Sequence, residues 1–250
     1  MLVRPGSFYG KYIINASMDN ATIHRLNEIN RTFYAATADR FEALRHNAWP
    51  GWKPLIPYLH ASMSLLDVGC GNGRFGKFVS RHAGKAIHYH GIDSNGRLLE
   101  YAHELLVAIN PQLEQRDIVE NPPDAGQYDL VVAFGLVHHI PGAVQRKAFI
   151  RALANRVSPG GLLGFACWRF YEYERFRQRI VPWPADIDVE PNDYLMDWRQ
   201  GESALRYVHY VDDAEHAALI AATGFTEISG YRADGESGDA NRYSLLRAKI

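Results

Sequence analysis

The stretch 64-SLLDVGCGNGRFGKFV-79 constrains the fold of this chain more than any other segment. It begins with an apolar run, continues with a loop in which every second residue is glycine, and ends with apolar residues at helical spacing. Glycine permits a tight turn and a close approach of backbone to ligand, so this order predicts a strand, a ligand-binding turn and a helix. Two ligand patterns overlap in the loop: G-x-G-x-x-G, which starts at Gly71, and D-x-G-x-G-x-G, which starts at Asp67.

Strand and helix patterns alternate along much of the chain. Buried strands are predicted at 64–69, 86–93, 128–134 and 161–167, and helices near 74–83, 95–109 and 143–157. This alternation predicts an α/β domain with a doubly wound, mostly parallel sheet. A helix at 212–223 follows, and two strands, 225–232 and 241–249, are joined by a glycine-bearing loop, which predicts an antiparallel hairpin.

Length and composition favour one domain. The chain has 250 residues, of which 47% are hydrophobic, enough for one large core. We expect a loose tail at 1–19 and a single domain at 20–250, with an amphipathic helical pattern over 20–46. An aromatic, arginine-rich stretch of less regular pattern covers about 168–210.

Charge and cysteine content exclude several classes of protein. Lys and Arg total 27 and Asp and Glu total 28, so overall charge does not draw the chain to nucleic acid or to an anionic membrane, although a local patch stays open. Cys70 and Cys167 lie in or next to apolar runs without metal-ligand spacing, so we expect them to be reduced and buried. No membrane span or signal peptide is evident, which predicts a cytoplasmic protein.

Two cofactors suit the glycine loop, a nicotinamide dinucleotide and S-adenosylmethionine (SAM). A dinucleotide site uses its glycines to approach the pyrophosphate and has no use for a buried charge in the preceding strand. SAM carries an ammonium, a carboxylate and a sulfonium group instead, so an acidic residue such as Asp67 suits it. Asp93 follows the loop by about 20 residues and suits either cofactor, because both carry ribose hydroxyls. The loop therefore favours SAM.

Five segments in order resemble class I SAM-dependent methyltransferases over roughly 60–250. They are DVGCGNG at 67–73, GIDSN at 91–95, RD at 116–117, YDLVVAFGLVHHI at 128–140 and SPGG at 158–161. The resemblance implies a Rossmann-like, mostly parallel sheet of seven strands, in which the last hairpin inserts one antiparallel strand. It also implies methyl transfer from SAM.

The resemblance places cofactor contacts along the carboxyl edge of the sheet. The candidate contacts are Asp67, Gly69, Cys70, Gly71, Gly73, Asp93, Ser94, Asp117, Ile118, Phe134 and Gly135. Asp67 would orient the loop or meet the ammonium, Asp93 would accept from the ribose hydroxyls, and Asp117 would accept from the adenine amino group. A helix-capping role for Asp93 and a plain loop role for Asp117 stay open.

His138 and His139 follow the predicted strand at 128–134. His138 is the candidate general base, but methyl transfer to an activated acceptor can proceed by positioning and desolvation, so a dedicated base is optional. Adjacent side chains diverge and no third ligand is suitably spaced, so we expect no metal site.

Residues 34–50 carry a narrower resemblance, to the lid segment of eukaryotic methyltransferases that esterify a carboxymethyl group on the wobble uridine of tRNA. The matching positions are Tyr34, Ala38, Phe41, Arg45, His46, Trp49 and Pro50, and RYVHY at 206–210 belongs to the same group's pattern. Residues 20–60 would then be a helical lid. Tyr34, Trp49, Arg206, His209 and Tyr210 become candidate substrate contacts. Arg45 shares a helix face with Tyr34 and Phe41 and is assigned to the SAM carboxylate, which a guanidinium binds as a fork.

The stretch 168–210 is the predicted substrate-side insertion, and it does not align with that group. Arg175 and Arg177 alternate there with aromatic residues, a pattern that suits phosphates and unpaired bases. The alternative is a helix whose aromatics pack inward and whose arginines are solvated. We therefore predict a SAM-dependent methyltransferase of tRNA, with a small carboxylate or hydroxyl compound as the alternative substrate. The alternative from another class is a SAM-binding partner subunit without activity.

Overall fold

The computed structural model describes residues 17–44, 47–198 and 204–250. The strands are β1 Ser64–Val68, β2 His88–Asp93, β3 Gln112–Gln115, β4 Tyr128–Phe134, β5 Val157–Trp168, β6 Ile180–Val181, β7 Asp193–Asp197, β8 Leu205–His209, β9 Thr226–Ala233 and β10 Asn241–Arg247. The α-helices are α1 Asn20–Leu44, α2 Arg74–Ala83, α3 Gly96–Leu106, α4 Ala143–Ala154, α5 Glu174–Arg177 and α6 Asp213–Thr223. Residues 1–16, Arg45 and His46, for which sequence predictions were made, lie outside the described residues.

The main sheet has seven strands in the order β3-β2-β1-β4-β5-β10-β9. Neighbours from β3 to β5 are parallel, and β10 runs antiparallel to both β5 and β9. This confirms the predicted mostly parallel sheet with an antiparallel hairpin. The order reverses between β1 and β4, and at such a switch point a crevice opens beyond the carboxyl ends of the strands.

Helices cover both faces of the sheet because the central strands are apolar on both. Leu65 of β1 packs into a core with Phe78 of α2, whereas the next residue, Leu66, packs into a second core with Phe149 of α4. Successive strand side chains point to opposite faces, so one strand supplies both cores. No helix in the described part of the chain is long and apolar enough to cross a membrane. Both cysteines are buried and free, as predicted.

The stretch that looked irregular in the sequence forms a second, antiparallel sheet, β6-β7-β8. Its β6 has only two residues, too short to give a strand pattern. Helix α1 lies between this sheet and the carboxyl edge of the main sheet. Asn30 ties it to both: its Oδ1 accepts from the Tyr207 amide at 3.0 Å, and its Nδ2 donates to the His139 carbonyl at 3.3 Å. Met18, predicted to lie in the tail, is buried beside Ile23.

Candidate active site

A cavity opens at the switch point, beneath α1 and beyond the ends of β1, β2 and β4. Its empty volume is about 1080 Å³ with the open solvent at its mouth included, which matches the size of small-molecule sites. Most of the predicted contacts line it: Tyr34, Trp49, Asp67, Gly69, Cys70, Gly71, Asp93, Ser94, Asp117, Ile118, Phe134 and Gly135. The structure therefore brings together residues that span more than a hundred positions of sequence.

The glycine loop forms one wall of this cavity. Gly69 and Gly71 have φ values of 74° and 54°, in the left-handed region that other residues avoid. The amides of Gly69 and Cys70 donate to the Ile92 carbonyl at 2.8 and 3.0 Å, which fixes the loop to β2. A Cβ on Gly71 would meet one atom of Phe41 at 3.9 Å, so the backbone there faces open space that a ligand can approach.

Asp93 closes the end of β2 beside the loop. Its Oδ2 accepts from the Gly71 amide at 2.8 Å, and its Oδ1 accepts from the Asn95 amide at 2.9 Å. The helix-capping alternative does not hold, because Asn95 is the N-cap of α3 and accepts from the Leu98 amide at 3.1 Å. Burial raises the pKa of Asp93. Its carboxyl group thus lines the cavity and does not cap the helix.

Asp67 adds a second buried carboxyl group at the end of β1. The Tyr89 hydroxyl donates to its Oδ2 at 2.8 Å. Burial raises the pKa of Asp67 to about 7, and the nearby Asp93 adds to that shift. Two carboxyl groups in one poorly solvated corner favour a cationic ligand group, because a positive charge offsets their burial.

The opposite end of the cavity is formed by the loop after β3. The Asp117 carboxylate accepts from Asn27 of α1 at 2.8 Å and from the Val119 amide at 3.0 Å. Ile118 is buried and presents an apolar wall to the cavity. An acceptor beside an apolar surface suits a planar heterocycle with an amino group. The bond from Asn27 also shows that α1 helps to build this end.

The third side lies beyond β4, where aromatic residues gather. Trp49 stands over Gly135, and a Cβ at that glycine would lie 3.1 Å from the indole ring. The Tyr34 hydroxyl lies 2.9 Å from His139 Nε2. His139 Nδ1 lies 3.1 Å from the Tyr207 carbonyl, which only accepts, so Nδ1 carries the hydrogen and Nε2 of the neutral ring accepts from Tyr34.

Arg206 lies behind Tyr34, on strand β8. It is 8% exposed, and its guanidinium lies 5.3 Å from the ring centre of Phe33, 4.9 Å from that of Trp168 and 5.8 Å from that of Trp198. Burial lowers the pKa of Arg206, while its interaction with the Tyr34 hydroxyl raises it. Within the described ranges no carboxylate forms a salt bridge with Arg206, so its charge is partly balanced by ring faces and the Tyr34 hydroxyl.

Comparison with known proteins agrees with this geometry. Residues 65–161 match the model of a methyltransferase domain. A SAM-dependent methyltransferase from Clostridium acetobutylicum has the same fold, with a TM-score of 0.62 at 13% identity over 88% of this chain and 99% of that one. Residues 65–161 thus form a methyltransferase domain, and the fold around them is that of a SAM-dependent methyltransferase. The glycine backbone and the paired carboxyl groups of the cavity fit SAM as its cofactor, because its ammonium and sulfonium charges suit an acidic corner.

Curated relatives of this methyltransferase domain include tRNA enzymes. Over 173 residues the chain is 27% identical to a probable tRNA methyltransferase 9B of Bos taurus. The aligned stretch covers 66% of this chain and 35% of that protein. It is 24% identical over 149 residues to the tRNA (carboxymethyluridine(34)-5-O)-methyltransferase ALKBH8 of Macaca fascicularis, covering 59% of this chain and 21% of that protein. The chain thus spans about a third or less of the length of these relatives.

Several predicted residues of the methyltransferase site do not line the cavity, and Arg206 is one of them, since it lies behind the lining residue Tyr34. Gly73 packs α2 against α3, since a Cβ there would lie 2.9 Å from Leu106. His138 is buried and faces Trp168, whose amide lies 3.4 Å from its Nδ1, whereas His139 lines the cavity. The two rings are neighbours in the short helical turn Val137–His139, with centres 4.4 Å apart, so the expected divergence of these side chains is wrong, yet His139 alone of the two reaches the cavity. The candidate base is therefore corrected from His138 to His139.

His209 and Tyr210 are also corrected. Side chains alternate along β8, so His209 faces away from Arg206 and the cavity. It lies 2.7 Å from Asp193 and 2.6 Å from Glu215, with 2% of its surface exposed. The Tyr210 hydroxyl donates to Glu172 at 3.0 Å.

The same buried cluster could hold a metal ion by its geometry, since ligand atoms of Glu190, Asp193 and His209 lie within 4.8 Å of one another. The Arg146 guanidinium already occupies a central position there. It pairs with Glu190 at 3.0 Å and with Glu215 at 2.6 Å. The cluster is therefore a satisfied structural network that joins the small sheet to α4 and α6.

The predicted RNA-binding arginines are engaged within the protein. Arg175 pairs with Glu236, and Arg177 pairs with Glu174 at 2.7 Å. Each charge thus has an exposed partner on the protein surface, and the RNA-binding role of these arginines stays a prediction. Arg74, which the sequence prediction missed, lines the cavity. A cation in the first turn of a helix opposes the helix dipole, and that unfavourable position was the available signal.

Proposed function

We propose that the protein transfers the methyl group of SAM to a carboxylate and forms a methyl ester. The buried guanidinium of Arg206 carries this proposal. A buried cation without a carboxylate partner in the described residues is costly, and a substrate carboxylate would offset that cost with charge-assisted hydrogen bonds. Arg179 lowers the pKa of Arg206 further, so this corner is positive overall.

Each part of SAM is assigned to the residues that line one wall of the cavity. Asp67 would meet the ammonium group, and the backbone of Gly69, Cys70 and Gly71 would lie along the methionine arm. Asp93 and Ser94 would hold the ribose, and Asp117 and Ile118 the adenine. Phe134 and Gly135 would flank the sulfonium, while Arg45 remains assigned to the cofactor carboxylate from sequence alone.

The chain itself would act mainly by positioning. SAM supplies an activated methyl carbon. A carboxylate oxygen attacks that carbon, an O–CH₃ bond forms, and the S–CH₃ bond breaks to leave neutral S-adenosylhomocysteine. Arg206 and Tyr34 would orient the carboxylate, and Trp49 would exclude water. Opposite charges are neutralised in this step, so a poorly hydrated site accelerates it, and no base is required.

The proposed carrier of the carboxylate is a tRNA nucleoside. The lid resemblance over residues 34–50 supports it, and so does the carboxymethyluridine named for the ALKBH8 relative. A small carboxylate metabolite is the alternative carrier.

Methyl-labelled SAM and total tRNA test the proposal, because methyl esters are cleaved by mild alkali and release methanol. The expected product is RNase-sensitive label that becomes volatile after alkali. Alkali-stable label would overturn ester formation, and alkali-labile label on small molecules alone would overturn the RNA carrier. No turnover with either substrate class, despite SAM binding, would favour a non-catalytic subunit.

A second candidate is methylation of a hydroxyl group. His139, aligned by Tyr207 and Tyr34, favours it, because a hydroxyl acceptor must lose a proton. Alkali-stable ether product that is lost in His139→Ala would support this candidate.

A further inference from the structure

A second concave surface lies beside the active-site cavity, between the 3-10 helix Pro50–Tyr58 and α2. It is lined by Lys53, Lys77, Arg81 and His82, with Phe78 and Ile56 as its apolar part, and we call it the basic groove. Its empty volume is about 650 Å³ with open solvent included.

The charges of the basic groove are not cancelled. Across the described ranges, Lys53, Lys77 and Arg81 form no salt bridge, and no acidic side chain lines the groove. Arg175 and Arg177, by contrast, are each paired with a glutamate. The groove thus keeps a local positive charge on a chain of net charge −1.

The groove leads to the active site. Arg74, Lys77 and Arg81 follow one another at helical spacing, so they form a row of about 10 Å along one face of α2. Arg74 lines both the groove and the active-site cavity. Its guanidinium lies 5.4 Å from the ring centre of Trp49, which borders the acceptor side.

We propose that the basic groove binds the sugar-phosphate backbone of the RNA substrate next to the nucleotide that is methylated. This inference rests on the RNA carrier proposed above. Three unpaired cations suit phosphates, and the apolar surface of Ile56, which is 37% exposed, suits a ribose or base face. A narrow groove continuous with the reaction cavity fits a polynucleotide strand better than a flat membrane surface.

The test compares two variants that lose equal charge. One is Lys53→Ala with Lys77→Ala and Arg81→Ala. The matched control is Lys147→Ala with Arg151→Ala and Lys249→Ala, which line neither the groove nor the active-site cavity. Binding of total tRNA is measured by fluorescence anisotropy from about 50 to 200 mM salt, with SAM affinity as the check on folding.

Each lost phosphate contact should make the slope of log affinity against log salt shallower by about 0.7, so the three substitutions in the groove variant should reduce it by about two. The control variant should keep the wild-type slope. Equal slopes for both variants would overturn the groove while ester formation on RNA stands. Absence of RNA binding by the wild type, or tighter competition by polyglutamate than by tRNA, would also overturn it. In those cases ester formation would still be tested independently of RNA binding, by alkali-labile labelling of a small acid.

Discussion

Asp67 and Asp93 place two buried carboxyl groups at one corner of the cavity, and their local roles differ. Asp93 is held by two backbone amides, whereas Asp67 accepts from a side chain, the Tyr89 hydroxyl. The folded-state pKa of Asp67, about 7, exceeds its ordinary value of 3.8. The folded state therefore binds more protons in that interval, and the stability of the ligand-free protein falls as pH rises through it.

Asp93→Ala should weaken SAM binding by about 1.5–3 kcal/mol, or about tenfold to a hundredfold, because it removes hydrogen bonds to a charged group. Asp212→Ala is the matched control. It removes the cap of α6, where the Asp212 side chain accepts from the Glu215 amide, which costs about 0.5–2 kcal/mol of stability, but should leave SAM affinity nearly unchanged. Titration calorimetry measures both variants, and normal SAM affinity in Asp93→Ala would rule out the ribose assignment.

SAM binding near pH 6.5 should release a proton from Asp67, because the cationic ligand lowers a pKa that starts at about 7. The wild-type affinity should then rise with pH across this range. Calorimetry in two buffers of different ionisation enthalpy measures the released proton. Asp67→Asn should abolish the release, and an equal release in that variant would assign the proton to another group.

At the scale of elements, α1 covers one side of the cavity, and its partners come from both sheets. Asn27 reaches Asp117 at one end of the cavity, and Tyr34 reaches His139 at the other. Asn30 lies between them and bridges β8 to the turn after β4. The helix is thus fixed by buried polar contacts as well as by apolar packing.

Asn30→Ala should destabilise the protein by about 1–3 kcal/mol, because it leaves the buried Tyr207 amide and His139 carbonyl without this partner. Loss of the bridge should also weaken SAM binding, since α1 covers the cofactor. Thr32→Ala, on the exposed side of α1, is the control and should change stability by less than about 0.5 kcal/mol. Chemical denaturation and SAM titration measure both effects, and equal behaviour of the two variants would contradict this role for Asn30.

At the scale of the whole molecule, local sequence patterns were enough to predict the main sheet. Parts of the site could not be predicted, because they depend on contacts between residues far apart in the sequence. The glycine loop and Asp93 are close in sequence to the strands that place them, so their positions followed from the pattern. The pairing of Arg175 with Glu236 spans some sixty positions, which a local reading of charge cannot detect. His138 and His139 have neighbouring rings, and only the packing of the cavity shows that His139 lines it.

Arg206 tests the central claim most directly, because its buried charge is the reason to expect a carboxylate. The measurement is the binding of two RNA stem-loops, one with a carboxymethyl and one with a carbamoylmethyl uridine, to the protein with S-adenosylhomocysteine bound. The wild type should prefer the carboxylate by about tenfold to a hundredfold, the worth of hydrogen bonds to a charged group, and Arg206→Gln should lose that preference. Equal binding of the two RNAs by the wild type, or an undiminished preference in Arg206→Gln, would contradict the account.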